Sequence, residues 1–346
     1  MQIDKIAIHN LFGLEGLNIA WYGIIIAAGI VFGVAVAVWQ AKKRGYTSEL
    51  IFDLMILALP LAIVGARVYF VAFEWEYYSQ HTDQIVAIWN GGIAIYGAVI
   101  GGVLAAFIVS KWRKFPFGRL LDIAGPGLVL GQAIGRWGNF VNQEAFGAAV
   151  TDPALQFFPY AVQVQDVFVG GETLNGWFQA TFFYESMWDI GVFVLLLFYA
   201  KRAKHDGNVF AMYLIGYGIG RFWIEGVRIF TLSAGELPIS QILSVALIAI
   251  GVLYIVIMRR KNQPNAVYEG RYLPGWLEEH GEEEKAIKKA AKEQRAKRKV
   301  EKAGGAGEAK QAADEKTAGG GKAEETEDKE PKKETYKPAE KTEDKK

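Results

Sequence analysis

Residues 131–147 read GQAIGRWGNFVNQEAFG, a glycine-rich apolar run that ends in Arg136, Asn139, Asn142 and Glu144. A second run, YGIGRFWIEGVR at 217–228, sets Tyr217, Arg221, Glu225 and Arg228 at i, i+4, i+8 and i+11, one face of a helix. A charge at mid-bilayer costs at least about 2.5–3.5 kcal/mol on insertion scales, so three on one helix call for partners or a water-filled cavity. Glu225, four residues from Arg221 and three from Arg228, can neutralise one of them but not both, and Arg136 adds a further cation. The surplus is positive, and an arginine fork matches phosphate oxygens two at a time. These residues predict a cavity that holds an anion, of the phosphodiester kind.

The elements that must position them are membrane helices. Apolar runs at 20–39, 51–72, 93–110, 120–140, 181–200, 209–229 and 238–258 are each long enough to cross a hydrocarbon core. Lys and Arg follow spans one, three, five and seven, whereas 73–92, 142–180 and 230–237 contain neither. That alternation predicts an outside N-terminus and a cytoplasmic C-terminus. On this orientation Arg67, Arg136, Asn139 and the 217–228 stripe lie in the outer parts of outward-running spans. Trp21, Tyr22, Tyr96, Tyr184 and Glu185 lie at the outer ends of inward-running ones. Plainer readings stand beside the functional one. Trp and Tyr favour interfaces and Arg can snorkel. Arg67, Glu185 and Asp189 could simply hold the bundle together. Glycines four apart (Gly29/Gly33, Gly97/Gly101, Gly127/Gly131/Gly135, Gly216/Gly220) read as close helix packing. Gly91, Gly92 and Gly138 are expected beside the polar cluster, where backbone N–H groups could approach a ligand.

The totals fit a two-part chain. Of 346 residues 51% are hydrophobic, but Lys, Glu and Ala dominate after about 262, so the net charge of +1 and the mean hydropathy of +0.13 average unlike regions. The chain contains no cysteine, which excludes disulfides, thiolate metal sites and a nucleophilic thiol of its own. His9, His81, His205 and His280 show no metal-ligand spacing, so neither metal nor cofactor is expected. Ala35-Val36-Ala37 mimics a signal-peptide cleavage site, but the basic cluster after it argues against cleavage. The expected fold is an all-α polytopic membrane protein of about seven transmembrane helices. Residues 1–261 form the catalytic domain, with a small external cap at 142–180 whose stretch AVQVQDVFVG reads as a strand or hairpin. Residues 262–346 are expected as a charged cytoplasmic tail, helical to about 303 and disordered beyond, with no apolar face able to join the core.

GRWGNFVNQEAFG (135–147) resembles the signature of the prolipoprotein diacylglyceryl transferase family. The likeness extends to WYGIIIAAGI, GARVYFV (65–71), GGIAIYGAVIGG (91–102) and YGIGRFWIEGVR (217–228). It implies transfer of the diacylglyceryl group of phosphatidylglycerol to the lipobox cysteine of a prolipoprotein signal peptide. This takes place at the bacterial cytoplasmic membrane with the site facing the outer leaflet, in contact with the lipid bilayer and with no nucleic acid. The resemblance assigns Arg136, Asn139, Glu144 and Gly147 from the signature, Tyr217, Arg221, Glu225 and Arg228 from the sixth span, and Tyr22 from the first. Arg136, Arg221, Tyr96 and Glu225 are expected to act in catalysis and the others in binding. Tyr96 stands where many relatives have histidine, and Gln179-Ala180 where relatives often have His-Pro. Two other classes are weighed. A transporter would place its polar residues near the midplane, often with inverted repeats, and a scaffold would not need an arginine excess.

Overall fold

The computed structural model describes residues 3–294 except 15, 17, 170–171, 229–232, 235–236, 262–264, 266, 277, 283–285, 287–288 and 291–292. The end of the expected tail helix and the stretch expected to be disordered therefore lie outside the described residues. Two compact units divide the chain at Glu279/His280.

Each apolar run forms a long helix: α1 (Trp21–Lys43), α2 (Glu49–Phe73), α4 (Ile95–Trp112), α5 (Phe117–Asn142), α6 (Thr181–Ala200), α7 (Asn208–Glu225) and α8 (Ile239–Lys261), with one short turn of helix, α3 (Trp75–Tyr78), after α2. The many Val and Ile residues of α1 and α8 would weaken a helix in water. In hydrocarbon the helix wins because it satisfies every backbone N–H and C=O internally. Five of the seven (α1, α2, α4, α6 and α8) are long and apolar enough to cross a membrane. Helices α5 and α7 are of similar length but carry arginines, asparagines and carboxylates. Large apolar side chains such as Ile56 (69% exposed) and Val31 (64% exposed) project from the bundle, as lipid-facing residues do. The protein is a mostly helical membrane protein with little sheet.

The glycine spacing does what it predicts. Helix α1 packs on α5 with Gly33 against Gly127, and a Cβ on Gly33 would lie 2.7 Å from the Gly127 carbonyl oxygen. Helix α2 packs on α4 in the same way, Gly65 against Gly97. Helix α6 lies against α5 and α7, and α8 against α7.

Strands are few: β1 (Ile6–Ile8) with β2 (Ile19–Ala20), β3 (Ala161–Val169) with β4 (Glu172–Gln179), and β5 (Ser233–Ala234) with β6 (Leu237–Pro238). The β3–β4 hairpin forms at the alternating stretch, with a bulge between Val164 and Val167. Its apolar side (Val164, Val167 and Phe178) closes on Phe146.

One expectation fails. The chain beyond 262 does join the core: Tyr272 is fully buried and Tyr268 nearly so, packed with Phe115 and Leu50. The Tyr272 hydroxyl donates to Asp53 Oδ2 (2.9 Å), its carbonyl accepts from the Thr47 N–H (2.8 Å), and Arg271 pairs with Glu49 (3.1 Å). Two aromatic residues four apart in a charged segment are enough to make a clasp, and average composition hid them.

Candidate functional site

The polar residues of the bundle form two groups rather than one. The first centres on Glu185, at the N-terminal end of α6 and 4% exposed. Arg136 Nε, from the last turns of α5, lies 2.5 Å from Glu185 Oε2. Arg221 (3.2 Å) and Arg228 (2.7 Å) both reach Glu185 Oε1. Glu225, also buried, takes Arg221 at 2.8 Å and Arg228 at 3.6 Å. Helix α7 stops at Glu225, so Arg228 returns to the cluster from the turn beyond instead of continuing the helical stripe. Ser240, at the start of α8, accepts a long hydrogen bond from Arg221 (3.5 Å).

Buried charges persist only when paired and hydrogen-bonded. Three guanidinium groups here contact two carboxylates, which leaves one positive charge among the contacting groups. The sequence reading counted Glu225 alone and so overstated the surplus. Glu185, read from the sequence with Asp189 only as a brace for the bundle, is the carboxylate that Arg136, Arg221 and Arg228 share. Asp189 is buried, lies in the electrostatic field of Arg136, and has an Oδ2 without a hydrogen-bond partner among the described residues.

The signature segment packs around this cluster. Asn139 Nδ2 donates to Glu144 Oε1 at 2.8 Å, and Asn142 reaches the same oxygen at 3.4 Å. Gln143 ends α5 in the left-handed region (φ 54°), which turns Glu144 back to lie beside the helix. Gly147 sits where a Cβ would come within 2.7 Å of Gln179, and it bridges to Arg228, so the signature loop, the hairpin and the end of α7 are tied together. Tyr22 packs its ring on Gly138, near Glu144 and Arg136. The Tyr217 ring stacks on Tyr213 (5.9 Å), within the field of Arg136 and Arg221. Trp137 Nε1 donates to Ser186 Oγ (3.1 Å), which donates to the Ala133 carbonyl (2.9 Å), locking α6 to α5 beside Glu185.

The second group surrounds Arg67. Its guanidinium donates to the carbonyls of Gln84, Ile85, Gly91 and Gly92 at 2.6–2.8 Å, which fixes the loop before α4. Gly91 and Gly92 have positive φ (85° and 74°) and offer carbonyls to Arg67, where the sequence reading expected N–H groups facing a ligand. Arg67 thus pairs with backbone rather than with a carboxylate. Tyr96 belongs with this side: its ring lies 6.0 Å from that of Tyr69, and its hydroxyl has no hydrogen-bond partner among the described residues.

Two grooves lie along the C-terminal half of α5, and neither is lined by Glu185 or the three arginines. One, of about 270 Å³, is almost wholly apolar and runs between α1, α5 and α6, lined by Trp21, Ile24, Ile134, Trp137 and Ile190. The other, of about 300 Å³, lies between the end of α5 and the hairpin, against Phe140, Phe146, Val162 and Trp177. Among the described residues no group of three His, Asp or Glu side chains could hold a metal ion. His9 pairs with Asp4, and His81 stacks on Tyr77.

A model of the family described as prolipoprotein diacylglyceryl transferase matches residues 9–257. A phosphatidylglycerol–prolipoprotein diacylglyceryl transferase of Listeria welshimeri is 40% identical over 271 residues, covering 78% of this chain and 95% of its own. Proteins of the same name from Synechocystis sp. (42% identical over 263 residues, 74% of this chain and 91% of the relative) and Bacillus velezensis (41% over 259 residues, 74% and 94%) are also similar.

Proposed function

The chain belongs to the prolipoprotein diacylglyceryl transferase family, and we infer that it transfers the diacylglyceryl group of phosphatidylglycerol to the thiol of a prolipoprotein lipobox cysteine, an early step of bacterial lipoprotein maturation. The sulfur attacks the carbon of the diacylglycerol unit, not of the headgroup glycerol, that bears the phosphate ester. The carbon–oxygen bond breaks as the carbon–sulfur bond forms, and the electron pair leaves on glycerol 1-phosphate. The thiol proton goes to the released phosphate or to solvent.

The observation that supports this reading is the convergence of Arg136, Arg221 and Arg228 at one point between α5, α6 and α7, three guanidinium groups against the two carboxylates that contact them. Preorganised cations at a developing phosphate charge are worth several kcal/mol in a low-dielectric site. Arg136 and Arg221, with Asn139 nearby, hold the phosphodiester in this scheme. The same positive field raises the thiolate fraction of a substrate cysteine whose free pKa is about 8.5. Glu225 aligns Arg221 and Arg228, and Glu144 and Gly147 hold the signature loop. Tyr22 and Tyr217 close the sides and Arg228 forms the rim, while the Tyr96 hydroxyl, on the Arg67 side of the bundle, would meet the phosphate or the incoming thiol only where the substrate reaches across to it.

We place all seven long helices across the bacterial cytoplasmic membrane, N-terminus out and C-terminus in, because Lys and Arg occur in alternate loops. The cluster then opens to the outer leaflet, and 142–180 forms an external cap. Residues 1–261 are the catalytic domain, and the tail from 262 begins with the clasp. The apolar groove of α1, α5 and α6 suits an acyl chain, and the groove under the hairpin suits the signal-peptide end. Release of glycerol 1-phosphate from phosphatidylglycerol, dependent on a lipobox peptide, tests the reading. Membranes that contain the protein yet release none reject it.

A further inference from the structure

The proposed phosphate-binding scheme needs Arg221 and Arg136, yet neither is idle. Arg221 is engaged by Glu185 (3.2 Å) and Glu225 (2.8 Å), and Arg136 by Glu185 (2.5 Å). Among the described residues Glu185 alone touches all three arginines, with Oε2 on Arg136 and Oε1 on Arg221 and Arg228. Glu225 reaches only the two arginines at the end of α7. A carboxylate and a phosphodiester share the features an arginine fork recognises: a single negative charge spread over two oxygens. Three guanidinium groups converging in a buried site repel one another unless an anion lies among them.

We propose that Glu185 is an internal stand-in for the substrate phosphate. It keeps the three forks converged while the site is empty, yields Arg136 and Arg221 to the phosphodiester on binding, and reclaims them as the product leaves. The last step has a chemical reason. Phosphatidylglycerol brings one negative charge, whereas a phosphate monoester carries about −1.5 to −2 at neutral pH and binds the same arginines more tightly. An anion tethered on α6 competes with that product at every turnover. The cost is a weaker apparent affinity, reduced by the fraction of time the arginines are free.

This proposal rests on the transferase reading, and one set of measurements separates the two. The dissociation constant of glycerol 1-phosphate is measured by tryptophan fluorescence, and KM and kcat for phosphatidylglycerol in mixed micelles with a lipobox peptide. The proteins compared are the parent, Glu185→Gln, Glu225→Gln and Glu185→Asp. If Glu185 holds the forks nine-tenths of the time, Glu185→Gln lowers both the dissociation constant and KM about tenfold, and kcat falls because product leaves slowly. Glu225→Gln gives a much smaller gain. Equal gains in the two Gln variants would reduce the effect to general charge and overturn the stand-in. A folded Glu185→Gln protein with unchanged or weaker phosphate binding also overturns it. Should Glu185→Gln fail to fold, Glu185→Asp decides: the charge is kept but withdrawn by one methylene, so product binding tightens, and an unchanged constant rejects the proposal. A parent protein that neither binds glycerol 1-phosphate nor transfers rejects the transferase reading and the stand-in with it. A parent that transfers normally beside an unresponsive Glu185→Gln rejects the stand-in alone.

Discussion

Two truncations separate the clasp from the rest of the tail. Removing 280–346 leaves Tyr268 and Tyr272 in place, whereas removing 266–346 takes them away. Tyr272 is fully buried and Tyr268 is 7% exposed, and both pack on Phe115, with ring centroids 5.8 and 4.7 Å apart. Truncating one buried large aromatic costs about 3–5 kcal/mol. The lost hydrogen bond to the Asp53 carboxylate adds about 1.5–3 kcal/mol. Asp53 keeps Arg113 at 2.9 Å and is not left as an unpaired charge, which holds the total near the lower end, about 5 kcal/mol. Domains are stable by only about 5–15 kcal/mol, so the shorter truncate and Tyr272→Ala should unfold at clearly lower temperature in a fixed detergent, while the longer truncate matches the parent. Thermal unfolding followed by fluorescence, with transfer activity after graded heating, reads this out. A 266–346 deletion with an unchanged midpoint would refute the clasp. The pH dependence gives a second check. Burial first, then the hydrogen bond to Asp53, raises the Tyr272 phenol above its ordinary value. Its contribution is therefore complete below the unfolded pKa of about 10 and is lost as pH rises above it. Tyr272→Phe should flatten the alkaline fall in stability.

Further outcomes follow from the site. Arg136→Lys and Arg221→Lys keep the charge but lose the fork, and turnover should fall at least about tenfold, or 1.4 kcal/mol; near-normal rates in both would exclude bidentate phosphate contact. In this cysteine-free chain, a cysteine at Asp166 should label from outside intact cells and one at Lys114 should not; the reverse pattern would invert the orientation. Transfer should survive a strong chelator and replacement of His9, His81, His205 and His280, while Tyr96→Phe slows it; loss of activity in the first two tests, or an unimpaired Tyr96→Phe, would count against the scheme. A Cβ on Gly220 would lie 2.1 Å from the Trp188 ring, so Gly220→Ala should displace Arg221 and lower turnover about a hundredfold without blocking membrane insertion; a rate like the parent's would show that this packing does not position Arg221.

The helices were legible because hydrocarbon leaves so few alternatives: runs of about 20 apolar residues can be little else. The hairpin was legible from its period of two. Helix–helix pairing showed through glycine, as at Gly33/Gly127 and Gly65/Gly97, because only a missing Cβ lets the backbones come that close. Partner choice among charges was harder. Arg67 chose four carbonyls, and no sequence spacing marks a loop that will fold over a guanidinium 17–25 residues away. Glu185 was visible as an acid in a span, but its three partners come from two other helices and the turn after one of them. The clasp was missed because Tyr268 and Tyr272 stand in a stretch whose average character is charged.

The two helices that fall short of apolarity, α5 and α7, are the two that carry the arginines. Each charged residue they bring into the membrane costs a few kcal/mol when the helix stands alone. Neither helix can recover that cost by itself: Arg136 has no acid on α5 within reach, and Glu225 must serve both Arg221 and Arg228. The missing acid comes from α6, which is apolar enough to insert unaided and presents Glu185 at its N-terminal end. The positive surplus therefore falls to one only when α6 seats against both neighbours, through Trp137 and Ser186 on one side and Trp188 and Gly216 on the other. Packing and electrostatics become one step. The cluster cannot form in a partly assembled bundle, and a bundle that has assembled already holds its arginines around the point where a phosphate can replace a carboxylate.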